Sequence, residues 1–183
     1  MTVLLRSWAA GDDGALGRLT DSLLPELRRI ARRYRRNERD PQGLETTALI
    51  NEVYLRLFDL RTIDWQNRAQ FFTLIARLVR NILVDAARRH AALKRGGAAS
   101  IVALYDANHP PTEPDQLLLA LDQALEALAQ AAPRQAKVVE LRYFGGLTEE
   151  ETARTLDASP RTVRRDWNFA RAWLMRHLQP ATR

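Results

Sequence analysis

The 183-residue chain has no cysteine, which excludes disulfides, thiolate metal sites and thiol nucleophiles. It has only three histidines, His90, His109 and His177, and none is spaced to share a metal ion with another. There is no glycine-rich phosphate loop and no Ser-His-Asp set at a recognisable spacing, so neither enzymatic activity nor a cofactor is expected. Adjacent acids such as Glu149-Glu150 read as solvated charges or helix-dipole partners. No apolar run approaches the ~18 residues of a membrane span. The opening Met1-Thr2-Val3-Leu4-Leu5-Arg6 lacks the basic-then-apolar order of a secretory leader. A soluble, cytoplasmic protein with no membrane partner is expected.

What the chain does have is arginine and helical periodicity. Hydrophobic residues make up 46% of it, enough for the core of one large or two small domains. All of its 28 basic residues except Lys94 and Lys137 are arginine, whose planar fork suits phosphate and base edges better than an ammonium does. The net charge of +6 is unevenly spread: residues 1–93 carry about +5, 94–132 about −3, and 133–183 about +4. Two basic blocks around an acidic segment suggest two modules facing nucleic acid and a connector. An ordinary solvated, arginine-rich surface would give the same totals.

Almost every segment reads as helix. Leu16, Leu19, Leu23, Leu24, Leu27, Ile30 and Ala31 recur at helical spacing. A polar break at 37–43 contains the turn signal Asp40-Pro41-Gln42-Gly43. Residues 44–60 form a second amphipathic helix with the stripe Leu49, Ile50, Val53 and Leu57. After a break at 59–67, residues 70–92 make a long apolar helix carrying Phe71, Leu74, Ile75, Leu78, Ile82 and Val84. These helices can share one core. Residues 94–115, with Gly96-Gly97, Pro110-Pro111 and Pro114, lack periodicity and read as a linker. A second helical module starts near Gln116, with Leu117, Leu121, Leu125 and Leu128 in register. Pro133 then opens a helix through Tyr143, ended by Gly145-Gly146.

The most specific local pattern lies in residues 147–178. Thr148 is placed to cap a short helix, with Glu151 completing a capping box. Asp157-Ala158-Ser159 is a tight turn, and Pro160 begins a second helix behind Ser159 as its cap. Ala153 supplies a small side chain where two helices cross. This is helix-turn-helix grammar. In the second helix Val163, Trp167, Ala170 and Leu174 form an inward stripe, while Arg161, Arg164, Arg165, Asn168 and Arg171 lie largely on other faces. Such a face suits the major groove, where arginine bonds guanine edges and asparagine bonds adenine. A helical hairpin with solvated arginines would share the pattern.

Two further stretches carry a family resemblance. Leu49-Ile50-Asn51-Glu52-Val53-Tyr54-Leu55-Arg56-Leu57-Phe58 looks like the core-polymerase-binding helix of bacterial sigma factors. The run from Phe71-Phe72-Thr73 to Asp85 is similar to the helix that follows it, including the Arg80-Asn81 pair. Pro133-Arg134-Gln135 through Leu178 resembles their second helical domain. Taken in order, these motifs make the chain resemble the extracytoplasmic-function (ECF) group of the sigma-70 family over nearly its whole length. The resemblance implies an all-α protein of two small helical domains joined by a flexible linker. Residues 1–93 would be a region 2-like domain that binds core RNA polymerase and recognises and melts the minus-ten element. Residues 94–115 would be the linker, and 116–183 a region 4-like domain whose helix-turn-helix reads the minus-thirty-five element of promoter DNA. The implied function is promoter-specific transcription initiation.

The resemblance also implies roles for particular residues. Arg164, Arg165 and Asn168 match positions that contact the minus-thirty-five element, while Arg161 and Thr162 hold phosphate. Residues 59–69 fall where the family's base-capturing loop lies, and Trp65 there either stacks on an unpaired base or anchors the core. Arg77, Arg80, Asn81, Arg88 and Arg89 line the strand path, or are solvated helix positions. Glu45, Thr46, Thr47, Asn51 and Glu52 would face the polymerase.

One stretch departs from the family. Its clamp-binding helix usually begins with several acids, whereas here the residues are Glu45-Thr46-Thr47-Ala48. Lost complementary charge weakens docking. Phosphorylation of Thr47 or Thr46 adds about −1.5 to −2 charges near the missing carboxylates, at a helix N-terminus that favours them. Threonine-bearing members of the family are associated with Ser/Thr kinases, so a factor silent until a Ser/Thr protein kinase modifies it is expected. Alternatively, Thr46 or Thr47 is simply a helix cap. The rival functional reading is a stand-alone helix-turn-helix repressor or activator, which leaves residues 45–85 and the linker unexplained. The sequence leaves open whether an anti-sigma partner exists and whether the two modules pack together when free.

Overall fold

The computed structural model describes residues 2–36, 46–58, 67–94 and 114–178. Among these there is no β-strand; the chain is built from helices α1 (Thr2–Ala9), α2 (Asp13–Arg36), α3 (Thr46–Phe58), α4 (Arg68–Lys94), α5 (Pro114–Ala131), α6 (Pro133–Val139), α7 (Glu149–Thr155) and α8 (Pro160–Leu178). The expected all-α class is what is found.

Local chemistry sets the helix starts. Asp12 Oδ1 accepts from the Ala15 amide at 3.2 Å and its other oxygen pairs with Arg18, fixing the entry to α2. Asn67 Oδ1 accepts from the Gln70 amide at 2.9 Å and starts α4. The expected stripe of α2 is buried at Leu16, Leu19, Leu23, Leu27 and Ile30, and that of α3 at Leu49, Val53 and Leu57. Helix α1 was not anticipated, yet Leu5 and Trp8 are both fully buried against this core. At about 2 kcal/mol per fully buried large apolar side chain, these two residues are the main apolar anchors of α1.

Helix α4 is central. It buries Phe71, Phe72, Ile75, Ala76, Val79, Ile82, Leu83 and Ala87, residues that together occupy more than one face. Its neighbours explain this: α3 packs on it from the N-terminal half of the chain, and α5, the turn after α6, and α7 from the C-terminal half. One continuous buried cluster therefore runs from Leu5 to Leu174.

Two boundaries shift from the sequence expectation. Lys94 belongs to the end of α4, and Pro114-Asp115 to the start of α5, so both ends of the expected linker are helical. The rest of that expected linker, residues 95–113, lies outside the described residues. In α5 the inward register also differs: Leu117 is 44% exposed, while Leu118, Leu119, Leu125 and Leu128 are buried. The inward face carries two aspartates as well, Asp115 and Asp122, seven residues apart. A leucine-only stripe misses that register because the face is set by charge as much as by apolar area.

The helix opened by Pro133 does not run unchanged to Tyr143. From Glu140 to Phe144 it widens into a π-helical turn, closed by the Gly145 amide donating to the Glu140 carbonyl at 2.9 Å. A Cβ on Gly145 would sit 2.6 Å from the Leu141 carbonyl oxygen and 3.3 Å from Ala76 Cβ, so glycine permits both the turn and its approach to α4. Gly146 adopts φ +68° and lies beneath Arg29 and Ile30 of α2.

Candidate nucleic-acid interface

The helix-turn-helix forms as its caps dictate. Thr148 Oγ1 accepts from the Glu151 amide at 3.2 Å and the Glu151 carboxylate accepts from the Thr148 amide at 2.8 Å. This backbone hydrogen bond holds the Glu151 carboxyl below its ordinary pKa, with smaller help from the Thr148 side chain and the charges of Arg68 and Arg154, against the opposing effect of burial. Asp157 takes φ +49° in the turn, and Ser159 Oγ accepts from the Thr162 amide at 3.1 Å to start α8. Val138, Ala153 and Val163 meet as a small buried cluster, with Leu156, Ala158 and Trp167 against it. Arg142 lies over the Trp167 ring, 4.4 Å from its centroid.

Helix α8 is pinned from below by a group that the apolar stripe does not reveal. Asp166 is 3% exposed at its side chain and accepts from Arg134 Nε at 2.6 Å, Arg134 Nη2 at 2.9 Å and Gln135 Nε2 at 3.0 Å. Hydrogen bonding to Asp166 and its charge raise the Arg134 pKa above the ordinary arginine value. Arg134-Gln135 at the start of α6 thus clamps α6 to α8.

The opposite face of α8 presents Arg161, Arg164, Arg165 and Asn168 to solvent, with Thr162 half-buried behind the cap. Phe169, exposed beside Asn168, was not singled out in the sequence because an aromatic on a helix is first read as core. Arg164 donates through Nε (3.2 Å) and Nη2 (2.8 Å) to the two carboxylate oxygens of Glu149, the first residue of α7. That hydrogen bonding, and then the charge of Glu149, raises the Arg164 pKa. The remaining hydrogens of the fork are left for another acceptor.

The arginines of α4 are placed differently from one another. Asn81 and Arg89 are exposed, and Arg77 is largely so, 3.9 Å from Glu140. Arg80, in contrast, is only 11% exposed at its side chain. It donates through Nε to Asp122 Oδ1 at 2.7 Å, through Nη2 to the Asp122 carbonyl at 2.8 Å, and through Nη1 to Glu140 at 2.9 Å. Arg88 lies 3.6 Å from the second Asp122 oxygen. His90 Nδ1 lies 2.7 Å from Asp115 Oδ2. The acids of α5 and of the turn after α6 therefore occupy part of the basic face of α4. Arg80 is not a surface cation in this arrangement, because its fork is already filled.

On α3, the first turn holds no acid. Thr47 and Asn51 are exposed, and Thr46 is the first residue of the helix. Glu52 accepts from Arg56 at 2.8 Å, and Arg56 reaches on to Asp85 of α4 at 3.4 Å. Hydrogen bonding to Glu52, then to Asp85, raises the Arg56 pKa against the opposing effect of burial. The same outer face exposes Tyr54, Leu55 and Phe58. Attention to charge alone passed over this apolar surface, although its spacing from Thr47 and Asn51 marks one side of a helix. Glu45 and Trp65 lie outside the described residues.

Comparison with known proteins gives one finding. The family model described as ECF sigma factor matches residues 1–180. No curated protein and no solved structure matches the chain. No helix among the described residues is long and apolar enough to cross a membrane.

Proposed function

Since the chain belongs to the ECF sigma factor family and is thus an RNA polymerase sigma factor that directs transcription, we propose that its docking on core polymerase is switched on by phosphorylation of Thr47 or Thr46. The supporting observation is the outer face of α3. Its first turn carries no acid, Thr47 is exposed there, and Tyr54, Leu55 and Phe58 continue the same side as bare apolar surface. Apolar contact supplies affinity without the charge steering that speeds encounter with a basic partner. A phosphate at the head of α3 restores about two negative charges where they also meet the helix dipole.

In this reading residues 1–93 form the polymerase-binding and minus-ten-melting domain, and 116–183 the minus-thirty-five-reading domain. Arg164, Arg165 and Asn168 contact base edges, and Arg161 and Thr162 contact phosphate. Arg77, Arg80 and Asn81 follow the separated strand, with Trp65 stacking on a base. Arg80 reaches a strand only after Asp122 and Glu140 release it. Engagement of polymerase, which competes for the faces of both domains, is the step that separates them.

The deciding experiment compares binding of purified core RNA polymerase by the unmodified chain and by chain phosphorylated with a candidate Ser/Thr kinase, the site being mapped by mass spectrometry. Tight binding only after modification at Thr46 or Thr47, lost in the corresponding alanine variant, is the expected result. Equal binding in both states discards the switch and leaves the family assignment untouched.

A further inference from the structure

A carboxylate on a DNA-facing surface repels phosphate; the dipole of α7 favours an acid at Glu149 in its first turn but does not account for the side-on pairing with Arg164. The pairing is side-on: Nε and one Nη2 hydrogen of Arg164 meet the two oxygens of Glu149 at 3.2 and 2.8 Å. The acid lies beneath the arginine, with side-chain exposures of 15% for Glu149 and 68% for Arg164. Glu149 does not cap its helix, because Thr148 and Glu151 already do so. Among the described residues, Arg161 and Arg165 on the same helix have no such carboxylate partner.

A guanidinium has five hydrogens on a rigid fork. With the Nε–Nη2 edge held by a carboxylate, the outer edge formed by Nη1 and the second Nη2 hydrogen remains. That edge matches the paired acceptors O6 and N7 of guanine in the major groove. An arginine free to rotate must give up rotamer freedom on binding and can settle on a phosphate instead. Held side-on, it presents one edge in one direction.

We propose that Glu149 is a positioning residue for promoter readout, holding the Arg164 fork so that its outer edge addresses a guanine. The inference rests on the reading of Arg164 as a base-contacting residue. It predicts two effects of opposite sign when the acid is neutralised. Discrimination at one base pair falls, because the fork is no longer aimed. Binding to duplex of unrelated sequence rises, because a negative charge near the phosphates is gone. A loss of folded structure would move both downward together.

The test uses the full chain assembled with core polymerase in its binding-competent state. It is challenged with a duplex library randomised across the upstream promoter element, and separately with a fixed duplex of unrelated sequence. Wild type enriches a motif in which one guanine depends on Arg164, and R164A lowers the preference there by roughly 5- to 150-fold. E149Q lowers the preference at that same position by about fivefold or more, leaves the other positions unchanged, and strengthens binding to the unrelated duplex. In the R164A background, E149Q changes nothing at that position. If R164A abolishes the guanine preference while E149Q leaves it intact, the positioning role is overturned and the base-reading role of Arg164 stands. If R164A costs no preference anywhere, or wild type enriches no motif, the readout assignment fails and this proposal falls with it.

Discussion

Asp166 falls on the inward side of α8, where its helix neighbours Val163 and Ala170 are apolar and buried. A carboxylate there is tolerated only because Arg134 and Gln135 meet it with three hydrogen bonds. Removing the charge in D166N should weaken all three. A buried pair that loses one partner typically costs 3–5 kcal/mol, and the half-exposed Arg134 reduces this through solvent screening, so about 2 kcal/mol is expected. R134A should also destabilise, since it strands the buried acid. Urea denaturation of both variants checks this, and an unchanged midpoint in R134A would remove the clamp role. Glu151 gives a pH prediction with a definite sign. Its folded-state pKa is lowered by the Thr148 backbone hydrogen bond, so its stabilising effect is present at neutral pH. That effect is lost as pH falls below the ordinary glutamate value of about 4.3 and through the lowered one. Thermal melts should show E151Q less stable than wild type by about 1 kcal/mol at pH 7, with the gap closing toward pH 3.

At the scale of elements, the turn after α6 is held to α4 by an absence of side chains. Gly145→Ala would drive a methyl group to within 2.6 Å of the Leu141 carbonyl oxygen and against Ala76, so the turn must lift from α4. Gly146→Ala meets instead the strain of φ +68° and a 3.2 Å approach to Arg29. About 1 kcal/mol is expected for Gly146→Ala and more for Gly145→Ala, read by denaturant unfolding. The sequence was informative wherever a local rule governs. The caps Thr148 and Ser159, the Pro160 start and the stripes of α2 and α3 all follow from side chains acting within a few residues. It was less informative where partners are distant. The glycine pair was legible as a stop signal but not as the close of a π-helical turn, since widening of that turn accompanies its packing on Ala76. Helix α1 is too short to display periodicity, and only the burial of Leu5 and Trp8 reveals its value. The α5 register differs from the leucine stripe because Asp115 and Asp122 point inward to His90 and Arg80. On α3 and α8 the exposed apolar residues Tyr54, Leu55, Phe58 and Phe169 would have been found by asking which large side chains the buried stripes leave outside.

For the molecule as a whole, the acidic connector seen in the charge distribution has a concrete role. Asp115 and Asp122 of α5 and Glu140 of the following turn sit against α4, with Arg80 as the centre of the contact. Two carboxylates and a carbonyl occupy positions about the fork much as phosphate oxygens would. With Arg80 on the proposed strand path, nucleic acid and α5 compete for one group, and the packed chain should bind single-stranded DNA weakly. Neutralising both acids in D122N/E140Q replaces charge-assisted bonds with neutral ones at a site where Arg80 is only 11% exposed. The two halves should then separate more readily, at a cost of about 3 kcal/mol to the packed state. Two readouts should move together: a larger radius of gyration in small-angle scattering, and tighter binding of a fluorescent single-stranded oligonucleotide with a steeper salt dependence. Adding R80A to the same chain should preserve the expansion and remove part of the gain in DNA binding, because one cation has left the proposed strand path. An expanded D122N/E140Q chain that binds the oligonucleotide no better than wild type would mean that the acids hold the fold together without shielding a nucleic-acid surface.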